Sequence, residues 1–465
     1  MRRRLLPALL AAVCAGSAVA AAAGPPSSAT DPPVVALAAP VLSARRVPAF
    51  LARAVADARL RAELDAALAD PRLGAARDHS CLVVRQGARP VVGRRAGQSL
   101  IPASGLKVLT AFAVLDRLGP EEQLVTEVRA GAPVGPGGVV DGPLWLVGGG
   151  DPLLGTADYA ATFENQPQLR TPLESLADAV VAAGVKVVNG PLVGDETRFD
   201  TQRYVPTWKP GYITDFESGP ASALVVNDGF ERFVRPRVAA AEPDVHAAGT
   251  LAALLQARGV TVAGGVAEGQ APVTAAAVAR VASPPVREVV GQMLRESDNL
   301  TAELLVKELG RRFAGEGTTA AGLGVVRRSL GAAGLPVDQL VSVDGSGLDR
   351  TDRASCALLM AALDRSGPTG PIAAGLPVAA RDGTLAKRFV GNPAAGRLRA
   401  KTGSLDGVIG LTGYVDAPAA GGTALSFSLM VNELPRDAFG RALQEQVGAI
   451  LARYPDAPAP EALAP

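Results

Sequence analysis

The sequence predicts an α/β (α+β) fold in which one antiparallel sheet takes strands from both ends of the chain, with a strand-rich segment inserted between them. The reasons are positional. A helix and a hairpin stand at 47–92, three strand-like runs and a helix stand at 398–454, and the stretch 121–283 breaks into short apolar runs cut by glycine turns. At 465 residues, 48% hydrophobic and 20% charged, the chain can bury a sizeable core and is not intrinsically disordered.

In chain order, Arg2-Arg3-Arg4, the apolar run Leu5–Val13 and Ala18-Val19-Ala20 form the tripartite layout of an export signal. Residues 1–23 are therefore expected to be cleaved, an uncleaved anchor being the alternative, and 24–46 to be a Pro/Ser/Ala tether. Phe50, Leu51, Val55, Leu60, Leu64 and Leu68 recur at helical spacing over Val47–Leu68. Ser80–Val84 and Pro90–Val92 flank Gln86-Gly87-Ala88 as a hairpin. Leu100–Leu118 reads as a helix, with Pro102 near its start and Gly119-Pro120 ending it.

The segment 121–283 holds strand-like runs such as Leu144–Val147 and Lys186–Val188, separated by turns such as Gly148-Gly149-Gly150-Asp151-Pro152. One or two small β-rich modules are expected there. Helices follow at Val286–Arg295, Leu300–Phe313 and Arg353–Leu363. Leu398–Thr402, Val408–Val415 and Ala424–Asn432 read as strands, Ala438–Tyr454 as an amphipathic helix and 456–465 as a Pro/Ala tail. The catalytic domain would comprise 47–120 and 284–455.

Composition removes several kinds of chemistry. Forty-six basic against 45 acidic residues leave a net charge of +1, so no global field favours nucleic acid or an anionic membrane surface. His79 and His246 are the only histidines, and no zinc-type spacing, G-x-S-x-G elbow or phosphate-binding glycine loop occurs. Neither metal nor cofactor is expected, and hydrolysis would have to run without imidazole. Cys81 and Cys356, on separate segments, read as small buried thiols, with a disulfide as the open alternative.

Three short patterns carry chemistry. Ser104-Gly105-Leu106-Lys107 opens the helix after the hairpin, and the i, i+3 spacing puts hydroxyl and amine on one face. A serine is a weak nucleophile until a base takes its proton, and a desolvated lysine can be that base. Lys401-Thr402-Gly403 lies on a strand, where amine and hydroxyl can grip a carboxylate and the N–H of Ser404 can face an oxyanion. The chain has only six lysines, which makes a chance match uncommon. Ser297-Asp298-Asn299 lies between two helices; alone it reads equally well as a helix cap. Together, in this order and these contexts, the three belong to the penicillin-recognising serine acyl-transferases.

Further stretches extend that resemblance. Ala302-Glu303, Asp344-Gly345-Ser346-Gly347-Leu348, Asp382-Gly383-Thr384-Leu385, Gly149-Gly150-Asp151-Pro152 and Arg198-Phe199-Asp200 resemble the class C low-molecular-mass penicillin-binding proteins, which are D-Ala-D-Ala carboxypeptidases and endopeptidases. The long insertion between Ser104 and Ser297 is a mark of that family.

The resemblance implies a β-lactamase/transpeptidase-like fold, peptidoglycan stem peptides as substrate, β-lactam antibiotics as covalent inhibitors, and an exported, extracytoplasmic enzyme. It implies Ser104 as nucleophile, Lys107 as base, and Ser297 as proton relay to the leaving D-alanine. Asn299 would hold the substrate amide, and Lys401 and Thr402 its carboxylate, with the N–H groups of Ser104 and Ser404 as the oxyanion hole beside Gly403. Asp151 and Arg350 are implied contacts for the side-chain end of the peptide. The competing readings are a serine β-lactamase, which lacks here the Glu-x-x-Leu-Asn element of one major class, and a non-catalytic cell-wall scaffold.

Overall fold

A computed structural model describes residues 47–416, 424–459 and 462; the expected signal and tether lie outside the described residues. Helix α1, Val47–Leu68, buries Ala52, Ala56, Leu60, Leu64 and Leu68 at four-residue steps. Strands β1, Ser80–Gln86, and β2, Arg89–Arg94, turn at Gly87, whose φ of 57° suits glycine. Helix α2 spans Lys107–Arg117.

The chain then enters the insertion: β3 Val125–Ala130, β4 Leu144–Val147, α3 Leu173–Ala182, β5 Leu192–Asp195, α4 Pro243–Gln256, β6 Val266–Glu268 and β7 Ala276–Ala282. It returns through α5 Val286–Glu296, α6 Asn299–Phe313, α7 Thr319–Ala332 and α8 Cys356–Ser366. Strands β8 Leu398–Leu405, β9 Val408–Val415 and β10 Leu425–Val431 and helix α9 Asp437–Arg453 follow.

The main sheet runs β8-β9-β10-β1-β2, antiparallel throughout, so strands from both ends of the chain meet at β10 and β1. Alternation along β1 separates two cores. Leu82 and Val84 pack with α1 and α9, whereas Cys81 and Val83 face α2, α5, α6 and α8. The sheet is thus covered on both faces. Cys81 on β1 is disulfide-bonded to Cys356 at the start of α8, with Cα atoms 6.0 Å apart. This corrects the reading of two free buried thiols: the sheet face and a helix start meet across 275 positions of sequence.

The insertion is built on a mixed five-stranded sheet, β6-β5-β4-β3-β7. It is strand-rich, as expected, but its core is completed by two helices that were not expected, α3 and α4. Leu173, Leu176 and Val180 of α3 and Ala247, Leu251 and Leu255 of α4 cover the sheet. Its two ends meet at a neck, where Leu124 N donates to Ser283 Oγ at 3.0 Å and Ser283 N donates to Leu124 O at 2.8 Å.

Candidate active site

The expected helix from Leu100 begins later. Leu100 bridges to Ala354, and Ala103–Leu106 forms a single 3₁₀ turn before α2 starts at Lys107. The tighter turn brings i and i+3 into register. Lys107 Nζ accordingly donates to Ser104 Oγ at 3.1 Å, and also to Asn299 Oδ1 at 2.5 Å and Ser346 O at 2.7 Å. The lysine is fully buried. Burial pulls its pKa down to about 8, against the opposing pull of Asp344 and Glu303. A neutral amine is therefore accessible near physiological pH, in contact with the hydroxyl it would deprotonate.

Ser297 ends α5 in the left-handed region, at φ 62°. That turn aims its hydroxyl at β8, where Lys401 Nζ donates to Ser297 Oγ at 2.8 Å. Lys401 is also fully buried; burial first, and the charge of Lys107 second, hold its pKa well below the usual lysine range. Asp298 caps α6 by accepting from Thr301 N at 3.2 Å. Asn299 opens that helix, and its amide is oriented from both sides: Oδ1 accepts a hydrogen bond from Lys107 Nζ and Nδ2 donates to Glu217 O at 2.6 Å. Thr402 Oγ1 donates to Thr384 Oγ1 at 3.1 Å.

These groups border one cleft of about 650 Å³, lined by Ser104, Ser297, Asn299, Thr384, Thr402 and Ser404, with Tyr159, Glu217 and Asp228 contributed by the insertion. Gly403 is needed for a close approach of protein rather than ligand. A Cβ there would stand 2.8 Å from Pro102 O and 3.3 Å from Ala103 Cβ, so β8 presses on the turn that bears Ser104.

Asp151 does not reach the cleft. It is buried, and its Oδ1 accepts from Leu153 N at 2.9 Å, capping its own turn. The neighbouring glycines are structural: a Cβ on Gly148 would meet Ala223 O at 2.3 Å and one on Gly149 would meet Val125 O at 1.9 Å. Asp151, expected as a substrate contact, is thus placed behind Pro152 and Leu153, which do line the cleft. The insertion carboxylates that do line the cleft are Glu217 and Asp228, and Asn227-Asp228-Gly229 reads in sequence as an ordinary turn. Arg350 stands near the rim, where its Nη1 donates to Asp406 O at 2.9 Å and ties the β8–β9 turn to the 344–349 turn. Thr384, in the Asp382-Gly383-Thr384-Leu385 stretch, lines the cleft and accepts from Thr402 Oγ1.

The model of the D-Ala-D-Ala carboxypeptidase 3 (S13) family matches residues 60–235 and 232–454. The D-alanyl-D-alanine carboxypeptidase of Actinomadura sp. (strain R39) is 32% identical over 449 residues, covering 79% of this chain and 80% of the relative. Among solved structures, penicillin-binding protein 4 of Haemophilus influenzae superposes with a TM-score of 0.67 at 20% identity, covering 80% of this chain and 94% of that one; it has also been solved with a β-lactam. A predatory peptidoglycan endopeptidase of Bdellovibrio bacteriovorus gives 0.51 at 17% identity, covering 82% and 93%. Fold and motifs thus define a penicillin-recognising serine peptidase. The chain belongs to the D-Ala-D-Ala carboxypeptidase 3 family, as a serine-type carboxypeptidase of the class C low-molecular-mass penicillin-binding type.

Proposed function

We propose that this chain hydrolyses the D-Ala-D-Ala ends of peptidoglycan stem peptides through an acyl-enzyme on Ser104, and cuts D-Ala cross-links by the same route. Lys107 takes the hydroxyl proton as Ser104 Oγ attacks the carbonyl, and the N–H groups of Ser104 and Ser404 face the oxyanion. Ser297 passes a proton to the departing amine of D-alanine while Lys401 and Thr402 hold the terminal carboxylate. Asn299 contacts the peptide amide. Water then releases the shortened peptide. A β-lactam enters the same sequence and stays as the acyl group.

The observation that carries this reading is the paired contact of two buried lysines with two serines at 3.1 and 2.8 Å across one cleft. The neck at Leu124 and Ser283 supports assigning 47–120 and 284–455 to the catalytic domain and 121–283 to the insertion. A disulfide and the N-terminal charge-then-apolar pattern support an exported, extracytoplasmic enzyme. No helix among the described residues is long and apolar enough to cross a membrane. Arg350 is kept as a contact for the side-chain end of the peptide on its place near the rim.

The test is to incubate the pure protein with a D-Ala-D-Ala-ended peptide and, separately, with penicillin. Free D-alanine together with a long-lived penicilloyl adduct is the expected pair. Rapid penicillin turnover without D-alanine release would make the chain a β-lactamase, and neither activity would make it a scaffold.

A further inference from the structure

Lys107 is held from three directions, and only two of its acceptors, Ser104 and Asn299, belong to the three motifs given a chemical role in the sequence. The third is the carbonyl of Ser346, at 2.7 Å. That carbonyl lies in the 344–349 turn, which is knitted by one carboxylate. Asp344 Oδ1 accepts from Gly347 N at 2.6 Å, and Oδ2 accepts from Asp349 N at 2.7 Å. Glu303 of α6 fastens the same turn from below, accepting from Ser346 N at 2.8 Å and Gly345 N at 3.0 Å. The turn also bears on the nucleophile's backbone: a Cβ on Gly347 would lie 2.0 Å from Ala103 O.

Above the turn, the insertion reaches in. Trp208 is buried against Val205 and Leu348, and its indole Nε1 donates to Asp344 Oδ2 at 2.8 Å. Next to it, Thr207 Oγ1 donates to Asp349. A carboxylate buried this deeply needs its donors; the indole N–H reaches Asp344 from the insertion, beside the buried Asp352 carboxyl, which burial and Asp344 itself keep protonated and hydrogen-bonded to it.

We propose that Trp208 is a positioning residue for Lys107: its N–H fixes Asp344, Asp344 sets the 344–349 turn, and the turn delivers the Ser346 carbonyl that orients the amine toward Ser104. The inference rests on the reading of Lys107 as the base for Ser104. It makes the insertion part of the catalytic apparatus rather than an appendage. Misplacing a catalytic group by a fraction of an ångström lowers the reaction rate while leaving initial binding largely intact.

The test replaces Trp208 with its benzothienyl-alanine isostere, which keeps shape and loses the N–H, alongside Trp208→Phe. Benzylpenicillin acylation is followed by stopped flow to separate the non-covalent dissociation constant from the acylation rate constant. The isostere is expected to lower the rate constant about tenfold, with the dissociation constant within about twofold and the thermal midpoint retained. An isostere that acylates at the wild-type rate, or one that loses only binding and thermal midpoint, overturns the proposal. Should Trp208→Phe fail to fold, the isostere still decides. Covalent labelling of Ser104→Ala would overturn the underlying reading instead, and it is observed on a separate variant.

Discussion

Lys107 and Lys401 are both buried behind the cleft, each donating to a serine that lines it, and the charge of the first helps to lower the pKa of the second. Two buried ammonium groups that feel each other's charge repel, so the resting site favours at least one neutral amine. With Lys107 brought to about 8 by burial, acylation by benzylpenicillin should rise with pH and level off above that value. A pH series of second-order acylation constants checks this; a profile flat from pH 6 to 10 would speak against a lysine base.

The same burial has a consequence for stability. The Lys107 pKa is about 8 in the fold against an ordinary 10.5, so between those values the unfolded chain binds more protons than the native one. This lysine's penalty is therefore fully present below pH 8 and is relieved as pH rises toward 10.5. Denaturant unfolding of wild type and Lys107→Met at pH 7 and pH 9.5 should show the gap between them narrowing at the higher pH.

Gly403→Ala should damage catalysis more than folding. The added methyl meets Pro102 O at 2.8 Å and Ala103 Cβ at 3.3 Å. Overpacking of this kind costs about 1–3 kcal/mol, and here the part displaced is the turn bearing Ser104. Acylation should fall by at least about tenfold while the far-ultraviolet circular dichroism stays native.

Replacing both Cys81 and Cys356 with serine should lower unfolding stability by about 2–5 kcal/mol, read by denaturant titration, with the labelling of Ser104 retained below the new midpoint. The bond ties β1 to α8 rather than touching the cleft, so stability and not acylation is the quantity that moves.

The insertion is clamped to α6 by ions. Lys307, almost wholly buried, pairs with Asp200 and donates to Gln202 O at 2.9 Å, while Glu308 receives Arg198 at 2.7 Å. Asp200→Asn leaves a buried ammonium without its counter-charge, and a loss of about 3 kcal/mol is expected. Equal stability of the two proteins in thermal unfolding would contradict the clamp.

What could be read from the sequence was what is local. Ser104 and Lys107 are one turn apart, and the periodic apolar residues of α1, α5, α6 and α9 announce their helices within a few positions. The strand pattern after Gly396 was equally plain. Helix α7 was not, because its glycines look like loop; Gly322 is there so that α7 can lie on α6, a Cβ being 1.9 Å from Val306 O. In the insertion, α3 carries Leu173, Leu176 and Val180 at helical spacing, but the dense glycine turns around it drew the reading toward strands.

Asp151 shows the same limit of local signals. Its glycines announce a tight backbone crossing, and an acid beside such a crossing resembles a binding loop until its partner, the Leu153 N–H, is seen. The disulfide and the Trp208–Asp344 contact join residues 275 and 136 positions apart, distances over which neither periodicity nor motif spacing carries information.

The most direct test of the acyl-enzyme is peptide mapping of the protein after brief exposure to benzylpenicillin. One adduct, on the peptide containing Ser104 and located on that hydroxyl, is the predicted result, with the adduct and D-alanine release both absent from Ser104→Ala. An adduct on another side chain, or D-alanine release that survives the substitution, would contradict it.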